Sequence, residues 1–450
     1  MSLLHKDIVS ICFLQLSLVW FGTTICQAQS GLDPRSMGMG GVGVAIANPS
    51  TAPFFNPAVL AIEKRERFSI EVPTIGVRAY DPNDFLTKLS DFQDLDLVSA
   101  LENSISDFNL APSEASSGAV VGDINELNQN LANLDGSPLV TEIGIGLSLG
   151  DSGQEFGWTL YASGRGQIGT LFNYQDEAFF DGFAAAIDVV DFDNPANNTA
   201  AQLDALSDYV SYDLDPVTGE VLNVQSLPFA EDDINSSVDV LGLGQHEIGI
   251  SMARNIGGVA YGITPKFVRS MVYDYSANAQ VADYAVYDED DFVTEYDNFN
   301  VDIGFARELD GGFTVGFVGK NLIEQRYEGF RRNPDTLELE STGNVVTTSA
   351  IYQVGMARQE QWGTFAIDYD LQEVKGFNGL PGSQFLSAGI ELDAWGWGQL
   401  RTGYRMNLSD SDRSVLSAGV GLSPFGIHVD LAVAGNSNEV GAAAQLGFRF

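Results

Sequence analysis

The sequence predicts an all-β fold: an antiparallel transmembrane β-barrel of about fourteen strands, with an N-terminal plug and partly helical extracellular loops. Three observations predict it. Apolar and polar residues alternate in runs of about ten, the length a tilted strand needs to cross a bilayer. The connections between these runs alternate between tight turns and long loops. Beyond residue 28 no stretch approaches the ~18 consecutive apolar residues of a membrane helix. Any crossing of a membrane is therefore made by strands.

The chain opens with a segment that reads as a secretory signal, residues 1–28. Lys6 supplies a positive charge, 8–20 is mostly apolar, and Cys26-Gln27-Ala28 places small residues at positions −3 and −1 of a cleavage site. Both cysteines of the chain, Cys12 and Cys26, fall inside it. A processed chain would carry no thiol, which excludes cysteine catalysis and cysteine-bound metal.

Residues 29–64 are expected to form the plug. The stretch from Asp33 through Gly38, Gly40 and Gly41 is glycine-rich, and glycine lets a backbone approach neighbouring strands closely. It ends in Asn56-Pro57-Ala58, a start signal for a short helical turn. No Gly-Lys-Ser/Thr follows the glycines, so a phosphate loop is excluded.

The barrel is expected over 65–450, with strands at 66–80, 138–150, 156–175, 242–256, 258–275, 296–309, 312–322, 345–358, 363–373, 382–394, 397–407, 413–423, 425–435 and 439–450. In 425–433, Phe425, Ile427, Val429, Leu431 and Val433 form one face and His428 and Asp430 the other. In 400–407, Leu400, Thr402, Tyr404 and Met406 alternate with Arg401 and Arg405. Tight turns at 150–155, 255–258, 309–312, 359–363, 394–397 and 423–426 alternate with connections that include 81–137, 176–241, 276–295 and 323–344. A barrel with short periplasmic turns and long outer loops sorts its connections in this way, whereas a soluble sandwich has no reason to. Trp158, Trp362, Trp395 and Trp397 all lie beside the tight turns, where an aromatic girdle meets lipid headgroups.

Charge follows the same two-sided plan. The chain carries 22 Lys and Arg against 61 Asp and Glu, a formal charge of −39, which argues against a nucleic-acid partner. The acid concentrates in the expected outer loops: 81–137 holds one base, Lys88, and 176–241 holds none. Helical patterns at 84–108 and 199–210 suggest caps rather than formless loops. Clustered carboxylates attract divalent cations, and these loops would face lipopolysaccharide, so cations bridging the two are expected partners. The run Asp288-Glu289-Asp290-Asp291 lacks the glycine and distal glutamate of an EF-hand, and no dedicated metal site is expected.

The alternation places Arg165, Lys266, Asp302, Asp368, Asp370, Glu391, Arg401, Arg405, His428, Asp430 and Arg449 on the lumen side. Opposed acids and bases there hold an interior rigid or line a watery path. Outside the signal the only histidines are His246 and His428, and neither has a recognisable nucleophile pattern beside it. No enzyme and no cofactor are expected.

The opening "MGMGG-GVA…NPA-LA" resembles the plug of long-chain fatty-acid transporters and related outer-membrane barrels. The closer resemblance is to the conjugal transfer protein TraF family of the outer-membrane type. It rests on that opening, Gly262-Ile263-Thr264-Pro265-Lys266, Gly319-Lys320-Asn321-Leu322, Arg401-Thr402-Gly403-Tyr404-Arg405, and 423–426 through Gly447-Phe448-Arg449-Phe450. It implies an outer-membrane barrel assembled by the barrel-assembly machinery, with Phe448 and Phe450 in the C-terminal assembly signal. The transporter likeness implies a plugged channel for small hydrophobic solutes. The family label implies a conjugation-associated or surface barrel without transport. The thiol chemistry of the thioredoxin-like protein that shares the name does not carry over, since no cysteine remains.

Overall fold

The computed structural model describes residues 33–62, 67–226, 235–278, 292–333, 336, 338–376, 382–394 and 397–449. The expected signal, Trp395, Phe450 and 288–291 lie outside them.

Fourteen long strands close one antiparallel barrel. In chain order these are β1 (Arg67–Tyr80), β2 (Pro138–Ser152), β3 (Phe156–Asn173), β6 (Ser237–Ile256), β7 (Val259–Asn278), β8 (Val293–Leu309) and β9 (Phe313–Lys320). The circuit continues through β12 (Ile351–Glu360), β13 (Gly363–Asp370), β14 (Phe385–Ala394), β15 (Gly398–Asn407), β16 (Val415–Leu422), β17 (Ile427–Gly435) and β18 (Glu439–Arg449). Two further hairpins, β4 (Val210–Leu214) with β5 (Val221–Ser226) and β10 (Gln325–Arg332) with β11 (Leu339–Thr348), stand outside the circuit in the long loops. Closure is made by β1 and β18, paired from Ser69↔Arg449 to Tyr80↔Glu439.

The expected strands are all present, with corrected ends. The run 345–358 is divided, because 345–348 belongs to β11 and the wall strand begins at Ile351. Here β-propensity runs through Val345–Thr348 without a break, and only the pairing of β11 with β10 assigns it to the loop. β6 begins at Ser237, earlier than expected.

Alternation along each strand sets the two faces. Ile75, Ile145, Leu160, Ile248, Phe267, Ile367, Leu400 and Leu431 are large, apolar and exposed. Surface of this kind is costly in water and suited to lipid. Trp362 and Trp397 are exposed beside the tight turns that follow β12 and β14. No helix among the described residues is long and apolar enough to cross a membrane.

The wall is uneven. β6 and β7 have 20 residues each, whereas β9, β13 and β16 have 8. At ~3.3 Å per residue the long strands reach more than twice as far. Their outer halves support a cap made by α2 (Phe85–Leu95), α3 (Leu97–Leu110), α4 (Glu114–Leu134), α5 (Glu177–Val189), α6 (Ala200–Asp204) and the β4–β5 hairpin. The helix α1 (Pro34–Gly38) belongs to the plug.

The sequence pattern at 84–108 is two helices, broken where Asp96 adopts φ 47°. Only 200–204 of the pattern at 199–210 is helical, and α4 and α5 were not anticipated. Phe108, Ile124, Phe180, Ile187 and Leu203 are fully buried in one apolar cluster that also takes in Ile168, Phe172, Val238 and Val240 of the tall wall. The cap is thus a folded body with its own core. The β10–β11 hairpin is pinned to Asp274 of β7 through Thr342, Asn344 (3.0 Å) and Arg331 (3.5 Å).

Candidate functional site

The segment 33–62 lies inside the barrel, where it is almost entirely buried and pairs with no wall strand among the described residues. It enters as α1. The Asp33 carboxylate accepts from Ser36 N at 2.8 Å and Pro34 occupies the first turn, two features that start a helix even at five residues. At Gly40 and Gly41 the chain turns with φ 74° and 94°. A Cβ at Gly40 would lie 2.7 Å from Tyr404 N and 2.8 Å from Ala388 O, so only glycine fits. Asn56 then caps a 3-10 turn, Pro57–Ala61, accepting from Ala58 N at 3.0 Å.

The wall is shaped to receive this backbone. Lumen-facing glycines recur on successive strands where the plug passes: Gly262 under Ala58, Gly304 under Asn56, Gly316 under Val44, Gly389 and Gly403 under Met39, and Gly419 under Gly38. A side chain at the first five would collide with the plug, and a Cβ at Gly419 would lie a tight 3.2 Å from Gly38 Cα.

Side chains then fasten the plug. Arg35 lays its guanidinium on Glu391 of β14 at 2.8 and 3.0 Å and donates to Ile46 O (2.7 Å) and Asn48 Oδ1 (3.0 Å). Asp368 of β13 accepts from Gly43 N (2.6 Å) and Val44 N (2.9 Å). Asn56 donates to Val44 O at 2.8 Å and to Phe305 O at 3.1 Å. Lys320 donates to Phe54 O at 2.6 Å, and Ser50 donates to Glu71 at 2.5 Å.

The polar positions expected in the lumen are found there, gathered in separate networks. Lys266 bridges Asp302 (3.0 Å) and Glu247 (3.5 Å), and Glu247 also holds Arg165. Arg401 joins Glu391 (2.7 Å) to Asp430 and so extends the Arg35 contact along the wall. Toward the mouth that carries the cap, Arg78 meets Glu142 and Glu439 at 3.0 Å each, and Glu439 takes Arg405 at 2.5 Å. Toward the end of the barrel that carries the tight turns, Glu71 meets His428 at 2.6 Å and Arg449 at 3.9 Å. Asp370 serves the wall itself, accepting from Gln353 (2.7 Å) and Phe385 N (2.9 Å). Phe448 follows the outward parity of β18, between Ile70 and Ile427 in register.

Sequence reasoning missed Arg35, Glu71, Arg78, Glu142, Glu247, Lys320 and Glu439. Glu247 and Lys320 could have been found from parity, since Glu247 precedes the exposed Ile248. Arg35 could not, because the motif gave no sign of its partner.

The geometry offers no hydrolytic triad at His428. Ser50 Oγ donates to Glu71, so the carboxylate stands between hydroxyl and imidazole, which is not the order of nucleophile, base and orienting acid. No three metal-ligating side chains gather among the described residues. In the cap, the Asn197 amide and Asn194 N hold the Asp191 carboxyl below its usual range, and Thr218 N and Val217 N do the same for Asp215. These carboxylates are engaged by their own loops.

A closed antiparallel barrel with an apolar outer belt and an ion-paired lumen, filled by an N-terminal segment, is a plugged transmembrane β-barrel. The family model described as "F plasmid transfer operon, TraF, protein" matches residues 53–370, most of the chain, and the protein belongs to that family. The TraF resemblance seen in the sequence is thereby borne out. No curated protein sequence matches. Among solved structures the chain is similar to the Ralstonia pickettii toluene transporter TbuX (11% identity, 94% of this chain and 100% of that one, TM-score 0.48). It is likewise similar to a Pseudomonas aeruginosa FadL homologue (11% identity, 95% and 99%, TM-score 0.47). A third similar structure is the Pseudomonas putida toluene transporter TodX (9% identity, 95% and 98%, TM-score 0.43).

Proposed function

We propose that this protein is a channel of the cell outer membrane, passing small hydrophobic solutes when its plug shifts. The observation that carries this reading is how the plug is attached. It fills the lumen but takes no part in the strand ladder; side-chain bonds, with a backbone bond from Gly153 N to Leu60 O, hold it against a glycine-lined wall. It can move without opening the barrel. A barrel of fourteen strands is wider than its wall side chains alone can fill, so a plug that shifts leaves a path through the lumen. The hydrophobic class of solute is supported by an apolar groove of about 470 Å³ on the lipid side of β12–β15. Its floor, at Gly389 and Gly403, is the same backbone that touches Met39 of the plug.

Purified protein in liposomes tests this through uptake of a small apolar fluorescent probe, with a sugar as control. Uptake of the probe that rises when Arg35 is replaced supports it. Uptake equal to protein-free liposomes in both forms overturns it.

A second reading is favoured by the cap, an acidic body with its own core on the outer side, together with the family description. On this reading the protein serves cell contact or plasmid transfer and transports nothing. Silent liposomes, with contact or transfer lost on deletion of 176–241, would select it. Under either reading we infer outer-membrane lipids and lipopolysaccharide as surroundings, with divalent cations at the cap. We also infer assembly by the barrel-assembly machinery and no nucleic-acid partner.

A further inference from the structure

The inward face of β18 presents, from the outer mouth downward, Glu439, Gly441, Ala443, Gln445, Gly447 and Arg449, and its neighbours β1 and β17 match it in register. Two polar regions on this side of the lumen are separated by one apolar layer. The outer region holds Arg78, Arg405 and Glu439. Within and beside it, Arg405 Nε and Asn407 Nδ2 are buried without a hydrogen-bond partner. The inner region is also incompletely satisfied. Gln445 is 3% exposed, yet neither its Nε2 nor its Oε1 has a partner. Ser36 Oγ, Ser69 Oγ and His428 Nδ1 are unpaired in the same way.

Buried donors and acceptors are very largely satisfied in folded proteins, and where protein atoms do not serve, ordered water does. Both regions therefore present polar groups that water would satisfy. The layer between them consists of Met37 from the plug, packed on Ala432, Ala434, Ala443 and Val415. A Cβ built at Gly441 would sit 3.6 Å from the Met37 methyl and 3.7 Å from Arg78 Cγ, so the tip of Met37 abuts the outer region. Ala443, which Met37 covers, stands one inward position from Gln445. No aromatic ring belongs to this cluster. One unbranched, adaptable thioether set against alanines separates the two polar regions, and apolar constrictions of this kind close a water path by dewetting.

We propose that a second, polar route for small ions and hydrophilic solutes runs past the plug along β17, β18 and β1, and that Met37 is its gate. This route is separate from passage of hydrophobic solutes and does not require the plug to leave.

Conductance of the full chain in planar bilayers with potassium chloride tests it. Met37→Ala and Met37→Ser should raise the current several-fold over the parent, and Met37→Leu should leave it unchanged. Met39→Ala is the control, since Met39 is equally buried in the plug but lies against Gly389 and Gly403. The proposal is overturned if Met37→Ala carries no more current than the parent. It is overturned equally if Met39→Ala raises the current as much, because general loosening of the plug then explains both. Should Met37→Ala fail to assemble, Gln445→Cys gives an independent readout with a small cationic thiol reagent added from the periplasmic side. Reaction supports a hydrated inner chamber, and a thiol inert in the folded barrel but reactive after unfolding rejects it.

Discussion

Replacing Arg35 by alanine should release the first half of the plug while leaving the barrel closed. The substitution deletes two charge-assisted bonds to Glu391, at 2.8 and 3.0 Å, and those to Ile46 O and Asn48 Oδ1. Breaking a buried ion pair from one side costs about 3–5 kcal/mol, chiefly because the partner charge is stranded. Here Glu391 keeps Arg401 at 2.7 Å, which places the loss near the lower end, about 3 kcal/mol. At ~1.4 kcal/mol per factor of ten, docking of 33–48 should weaken roughly 100-fold. Hydrogen exchange in detergent or nanodiscs reads this as faster exchange over 33–48, with wall amides in β14 and β15 unaltered and the heat-modifiable gel band retained. Arg35→Ala combined with Glu391→Gln should cost less than the sum of the two, since both remove one contact. Unchanged exchange over 33–48, or strict additivity, would refute the assignment of Arg35 as the fastening.

Three further outcomes are expected. Gly403→Val should prevent the plug from seating, because its side chain would overlap the Met39 backbone, so protease should cut 33–62 in an intact barrel. Phe108→Ala removes a fully buried ring that meets Phe192 edge-on at 4.7 Å. It should cost the cap about 3–5 kcal/mol, seen as earlier thermal loss of helical circular dichroism with the barrel band unaffected. Millimolar Ca²⁺ or Mg²⁺ should slow cleavage within 176–241 at low salt, where the Debye length reaches ~30 Å and carboxylates repel most. Cleavage indifferent to the ions would mean that the apolar core alone orders the cap.

Much of this barrel was legible in the sequence, for a physical reason. A strand that faces lipid on one side and the lumen on the other must alternate, so Leu400/Arg401 and Val429/Asp430 declare their faces before any fold is known. Tight turns and long loops sort to opposite ends, so the order of connections separates the two sides of the barrel. The plug glycines were also visible, although what required them, the backbone of Tyr404 at Gly40 and the facing glycines of the wall, was not.

The tertiary structure decided which charges meet. Arg35 and Glu391 are 356 residues apart, and their contact depends on how the closed circuit brings β14 beside the plug. Alternation gives the face of a residue and not its height or its neighbour across the lumen, which follow from register and closure. The cap was obscured for a related reason. The helices α4 and α5 bury their apolar faces against each other and the tall wall, a surface that exists only once β3 and β6 have extended beyond the membrane. Met37 lay in plain sight as part of a motif, but its place between two polar regions of the lumen required β1, β17 and β18 to be assembled around it.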